Sequence, residues 1–97
     1  MSSWDAVQPR RVRQAAAEYD ELSQEEFLTH YGFGRARSYL LIIDGKAHDS
    51  KAVLGVAYKH GTGQPLGPHD FSGGVKGAAR VLRALGFEVR NLHQSAN

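Results

Sequence analysis

A chain of 97 residues makes one domain, long enough to bury a modest core without staples. It has no cysteine, which excludes disulfide frameworks, thiolate metal sites and a cysteine nucleophile and fits a cytoplasmic protein. Its longest apolar run, Tyr39 to Ile43, is far short of the roughly 20 residues of a membrane span, so no membrane partner is expected. Residues 1–33 carry three arginines against six carboxylates, net −3, whereas residues 34–97 carry nine Lys or Arg against four, net +5; the basic side suits a polyanion such as nucleic acid, or a plain solvated surface.

Residues 1–8 read as a lead-in, with Trp4 expected to pack on the first helix as a lid on the core. From Pro9, Val12, Ala15, Ala16, Tyr19 and Leu22 recur near helical spacing and predict an amphipathic helix of about three turns. Ser23-Gln24-Glu25-Glu26 has the form of a capping box, opening a second helix with Phe27, Leu28 and Tyr31 on its apolar side and Gly32 at its end. Phe33-Gly34-Arg35-Ala36-Arg37 is a basic connector. Tyr39 to Ile43 is apolar on both faces of a strand, so it is expected to be central and buried, and Asp44-Gly45 suits a type I′ hairpin turn. The return strand, about Lys46 to His48, leads to Asp49-Ser50, either of which can cap the helix from Lys51. Lys46, His48 and Lys51 are thereby expected to lie near one another.

In that third helix Ala52, Val53, Val56 and Ala57 form a narrow apolar stripe, with Gly61 as its expected end. Residues 62–70 are rich in Gly and Pro and read as a loop. Phe71-Ser72-Gly73-Gly74 is expected to open the last helix, Ser72 as N-cap, with Val75, Ala78, Ala79, Leu82 and Leu85 on its inner face and Lys76, Arg80 and Arg83 as a basic stripe outside. Gly86 precedes an alternating strand at 87–92 that should pair with the hairpin, and 93–97 is a frayed tail. The prediction is a single α+β domain over residues 9–92, with a small three-stranded antiparallel sheet (hairpin plus C-terminal strand) packed with about four helices.

Chemistry-bearing motifs are sparse. The five histidines fall in no metal-ligand spacing, and no cofactor is expected. His48, Asp49 and Ser50 offer an acid/base pair beside a hydroxyl, but three neighbours make a poor triad because successive strand residues point to opposite faces; the plainer reading makes His48 a surface hairpin residue and Asp49 a cap. The glycines at 61, 63 and 67 follow a helix, not a strand, and do not make a dinucleotide fingerprint. The F-S-G-G start offers bare backbone N–H groups to a phosphate, or is simply a tight helix entry.

Taken in order, Y-G-F-G at 31–34, Y-L-L-I-I-D-G at 39–45, D-S-K-A at 49–52, P-L at 65–66, F-S-G-G at 71–74 and L-G-F-E-V at 85–89 resemble the N-terminal head domain of modification-dependent (type IV) HNH restriction endonucleases. An aromatic often precedes D-S-K-A in that family, where this chain has His48. The resemblance implies a non-catalytic accessory module, joined to modified-DNA recognition domains and an HNH nuclease as partners in a defence system. Ser50, Lys51, Ser72, Gly73 and Gly74 match its blocks. On the DNA-binding reading, Arg35, Arg37, Lys46 and Lys51, with Lys76, Arg80 and Arg83, contact the phosphates of double-stranded DNA, modified or not, while His48, Ser50 and the F-S-G-G amides make closer polar contacts. The alternative is a protein-docking module that orients neighbouring domains without binding DNA, through an apolar surface that includes Trp4 and Tyr58. A third reading, a small hydrolase using His48 or His69, lacks an oriented base.

Overall fold

Seven elements follow one another in the computed structural model, which describes residue 4 and residues 7–36, 38–64, 66–67, 71 and 77–92. They are α1 (Pro9–Leu22), α2 (Gln24–Tyr31), β1 (Tyr39–Ile43), β2 (Lys46–Asp49), α3 (Ser50–Thr62), α4 (Ala78–Ala84) and β3 (Glu88–Asn91). The strands make one antiparallel sheet in the order β2-β1-β3. This is the expected α+β fold, with the apolar strand at its centre.

The hairpin turn follows from its dipeptide. Asp44 and Gly45 have φ of 53° and 77°, both positive as a type I′ turn requires, and Ile43 faces Lys46 across it. Gly45→Ala is therefore expected to lower stability by about 1 kcal/mol, because alanine resists the left-handed region; urea unfolding checks this.

One face of the sheet is covered. Leu41 is fully buried between its cross-strand neighbours His48 and Val89, both also buried, whereas Leu40 and Ile42 on the other face are only half-buried. The strand is central as expected, but of its five residues only Leu41 is fully buried.

The first two helices obey their local signals. Pro9 sits in the first turn of α1, which buries Val12, Ala15, Ala16 and Tyr19. The Ser23 hydroxyl accepts from the Glu26 N–H at 3.5 Å, and Gly32 ends α2 in the left-handed region.

Helix α3 departs from its expected narrow stripe, since every residue from Ala52 to Ala57 is buried. It packs against α1, α2, α4 and both hairpin strands, and a helix enclosed on several sides must be apolar or small all round. It also runs past Gly61 and ends at Gly63 (φ 79°), whose N–H donates to the Lys59 carbonyl. The last helix begins at Ala78, behind Gly77; Ser72, Gly73, Gly74 and Lys76 lie outside the described residues. Trp4 meets Tyr58 of α3 and Phe71 edge-on, at 5.5 and 5.3 Å between centroids, and packs on the core as the expected lid.

Candidate nucleic-acid interface

The end of the sheet away from the hairpin turn is built around a buried carboxylate. Asp49, 2% exposed, is the last residue of β2 and stands at the N-cap position of α3, yet its side chain makes no cap bond. Its oxygens instead accept from three other parts of the chain: the Tyr19 hydroxyl of α1 at 2.7 Å, the Gln24 amide of α2 at 2.9 Å and the Ala36 backbone N–H at 2.6 Å. A buried carboxylate requires such donors, and these hold two helices and the 33–38 connector to the strand. Burial, reinforced by the bond to Asp49, pushes the Tyr19 hydroxyl pKa up, so the phenol remains a donor.

Beside it, His48 is 1% exposed. One ring nitrogen, Nδ1, faces the Leu41 carbonyl oxygen at 3.3 Å, Nε2 faces Asp20 Oδ1 at 2.9 Å, and the Tyr19 ring packs edge-on against the imidazole. Ser50 is also buried, its hydroxyl donating to the Tyr39 carbonyl at 2.9 Å. Three expectations are corrected here. His48 is not a surface residue, neither Asp49 nor Ser50 caps α3 with its side chain, and the buried, internally bonded His48 and Ser50 are not placed to touch a ligand at the surface.

Basic residues neighbour this buried group in the chain and in the fold. Arg35 is exposed and immediately precedes the clamped Ala36. Lys51 opens α3 two residues after Asp49 and sets its ammonium 5.3 Å from the centre of the Phe71 ring. That contact joins the D-S-K-A and F-S-G-G blocks, which lie about 20 residues apart in the chain. From α4, Arg83 lies over the Tyr39 ring at 5.7 Å and donates to the Val89 carbonyl at 3.0 Å. Three of the expected cations thus stand on residues tied to the Tyr39 end of the sheet: Arg35 beside Ala36, which bonds Asp49, Lys51 beside Ser50, which bonds Tyr39, and Arg83 over the Tyr39 ring. Lys46 does not join them: it pairs with Ile43 at the hairpin turn, three residues and so about 10 Å along the strand from Asp49. Arg80 is exposed on α4, and Arg37, Lys76, Ser72, Gly73 and Gly74 are outside the described residues.

A second polar junction ties the helices on another side. Glu18 of α1 accepts from the Tyr31 hydroxyl of α2 and faces His60 Nε2 of α3 at 3.2 Å; burial first and the Glu18 contact second push the Tyr31 hydroxyl to about 12. Among the described residues no three His, Asp or Glu side chains are grouped to hold a metal ion, and no helix is long and apolar enough to cross a membrane.

The fold is that of a restriction-endonuclease head domain. The chain belongs to the family described as the ScoMcrA-like N-terminal head domain, whose model matches residues 5–91. It is similar to the structure of the type IV phosphorothioation-dependent restriction endonuclease ScoMcrA, with a TM-score of 0.64 and 30% sequence identity over 93% of this chain. The match spans 13% of that longer protein. No curated protein matches the chain.

Proposed function

We propose that this domain is a non-catalytic accessory module of a type IV restriction system that holds double-stranded DNA by its phosphates, alongside modified-DNA recognition and nuclease domains. The observation that supports the reading is that Arg35, Lys51 and Arg83, from a loop, α3 and α4, each stand at or next to a residue bonded to one end of the sheet. Cations held by aromatic rings and backbone bonds lose little freedom when they meet a phosphate, and phosphate contacts give affinity and register without reading sequence. The relation to a restriction endonuclease supports DNA as the polyanion.

The test is fluorescence anisotropy with matched duplexes, unmodified, 5-methylcytosine-containing and phosphorothioated, over a range of salt. Similar binding to all three is expected, with log K falling by about 0.9 per neutralised phosphate for each unit of log salt. The Lys51→Ala/Arg83→Ala double variant should weaken binding about tenfold for every duplex and flatten the slope by roughly two contacts. A preference for one modified duplex that survives added salt would point to direct recognition of the modification. No binding at low salt would favour the docking module, for which the surface carries one specific observation. Leu92, 47% exposed, donates its N–H to the Ser38 carbonyl and so extends the β3 alternation onto the face of Leu40 and Ile42.

A further inference from the structure

The described residues of the connector between α2 and β1 lie outside helix and strand, yet Phe33, Ala36 and Ser38 are each held in place. Phe33 is buried, its N–H donates to the Leu28 carbonyl at 2.9 Å, and its ring tip rests against Gly55. Ala36 is held by the Asp49 carboxylate, and the Ser38 carbonyl accepts from the Leu92 N–H at 2.7 Å. Between the first two anchors stand only Gly34 and Arg35, both exposed.

Asp49 also breaks a local rule. A carboxylate at a helix N-cap ordinarily accepts from the first-turn N–H groups, but here it turns away from α3 toward the connector and the two N-terminal helices. Departures from local preference gather where a site must be shaped.

We infer that residues 33–36 form a pre-ordered loop for the phosphodiester oxygens of duplex DNA, with Arg35 as the contacting residue and Asp49 as the positioning residue that fixes the loop through the Ala36 N–H. This inference rests on the DNA reading given above. An Arg on a mobile loop loses backbone freedom on binding; one on a loop already fixed by Phe33, Ala36 and Ser38 does not, and the difference appears as affinity. The Asp49 carboxylate is buried and engaged by three donors, so Arg35 remains the charge presented outward.

A double-mutant cycle on the full 97-residue chain tests this, with anisotropy on a short unmodified duplex and amide exchange at Ala36 as readouts. Arg35→Ala should weaken binding roughly threefold to tenfold and reduce the salt slope by about one contact. Asp49→Asn should speed Ala36 exchange and weaken binding about threefold when Arg35 is present, with no further loss in the Arg35→Ala background. Gly45→Ala strains the hairpin turn at the far end of the sheet and leaves the Ala36 contact, so it should lower stability and leave affinity unchanged. Effects of Arg35→Ala and Asp49→Asn that simply multiply, in a parent chain that binds, overturn the inference and leave the DNA reading standing. Failure of the parent to bind any duplex overturns the DNA reading and the inference with it. If Asp49→Asn does not fold, exchange in the parent decides: protection of the Ala36 amide supports a pre-ordered loop, and exchange at the free-peptide rate overturns it.

Discussion

Asp49→Ala is expected to lower the stability of this domain by about 3 kcal/mol, a large part of the roughly 5–15 kcal/mol that a folded domain has in hand. The substitution strands three donors at once, the Tyr19 hydroxyl, the Gln24 amide and the Ala36 N–H. Each buried group left without a partner costs about 1–3 kcal/mol. The sum is reduced because removing the carboxylate also removes the cost of keeping a charge away from water, and because water can reach Gln24, which is only half-buried. In a chain of this size the loss corresponds to a fall in Tm of roughly 12–24 °C. Urea unfolding should show a lower midpoint with an unchanged slope. Tyr19→Phe removes one of the three bonds and should cost about 1 kcal/mol, and far less in the Asp49→Ala background, because the two residues share the interaction. A loss for Asp49→Ala no larger than about 0.5 kcal/mol, the ordinary range for surface substitutions, would rule out the clamp.

That clamp marks where reading the sequence stopped. Elements whose determinants are local are legible: Asp44-Gly45 makes the turn, Pro9 and Ser23 start helices, and the alternation from Phe87 sets Val89 inward and Glu88 and Arg90 outward. Asp49 has its partners 13, 25 and 30 residues away, and no periodicity connects such positions. Position-by-position reading favoured a cap for Asp49 because a carboxylate before a helix usually is one. It favoured exposure for His48 because a polar residue in a short strand usually faces water. The signal that was available is Tyr19 itself. Its ring belongs to the apolar stripe of α1, and a buried phenol needs an acceptor for its hydroxyl. Tyr19-Asp20 and His48-Asp49 are two adjacent pairs, and they meet as Tyr19 to Asp49 and Asp20 to His48. The basic site was legible in its residue types and not in its grouping. Lys46 and Lys51 are close in sequence but lie at opposite ends of β2, whereas Arg83 arrives beside Tyr39 only because β3 pairs with β1.

Gly55→Ala should destabilise the domain by about 2 kcal/mol, against the usual sense of such a change. In a helix interior, alanine is ordinarily better than glycine by roughly 1 kcal/mol. Here a Cβ on residue 55 would lie 2.6 Å from the Phe33 ring tip and 3.3 Å from the Leu66 carbonyl oxygen, where carbon contacts prefer about 3.5–4.0 Å. The ring has little room to retreat, since Phe33 is buried and its backbone is tied to Leu28. The helix is enclosed by α1, α2, α4 and the hairpin, so it cannot slide away to relieve the contact. Overpacking of this kind costs about 1–3 kcal/mol. Phe33→Leu shortens the opposing side chain, so the Phe33→Leu/Gly55→Ala double variant should lose less than the two single losses combined. Urea midpoints for the four proteins give the coupling directly, and a Gly55→Ala protein more stable than its parent would show that no close contact exists. Because Phe33 is also the first anchor of the loop that leads to Ala36, Gly55→Ala should speed amide exchange at Ala36 although a Cβ on residue 55 would meet Phe33 and Leu66 and not Asp49. The small residue in the middle of α3 is thus coupled to the loop that carries Arg35 through the packing of one aromatic ring.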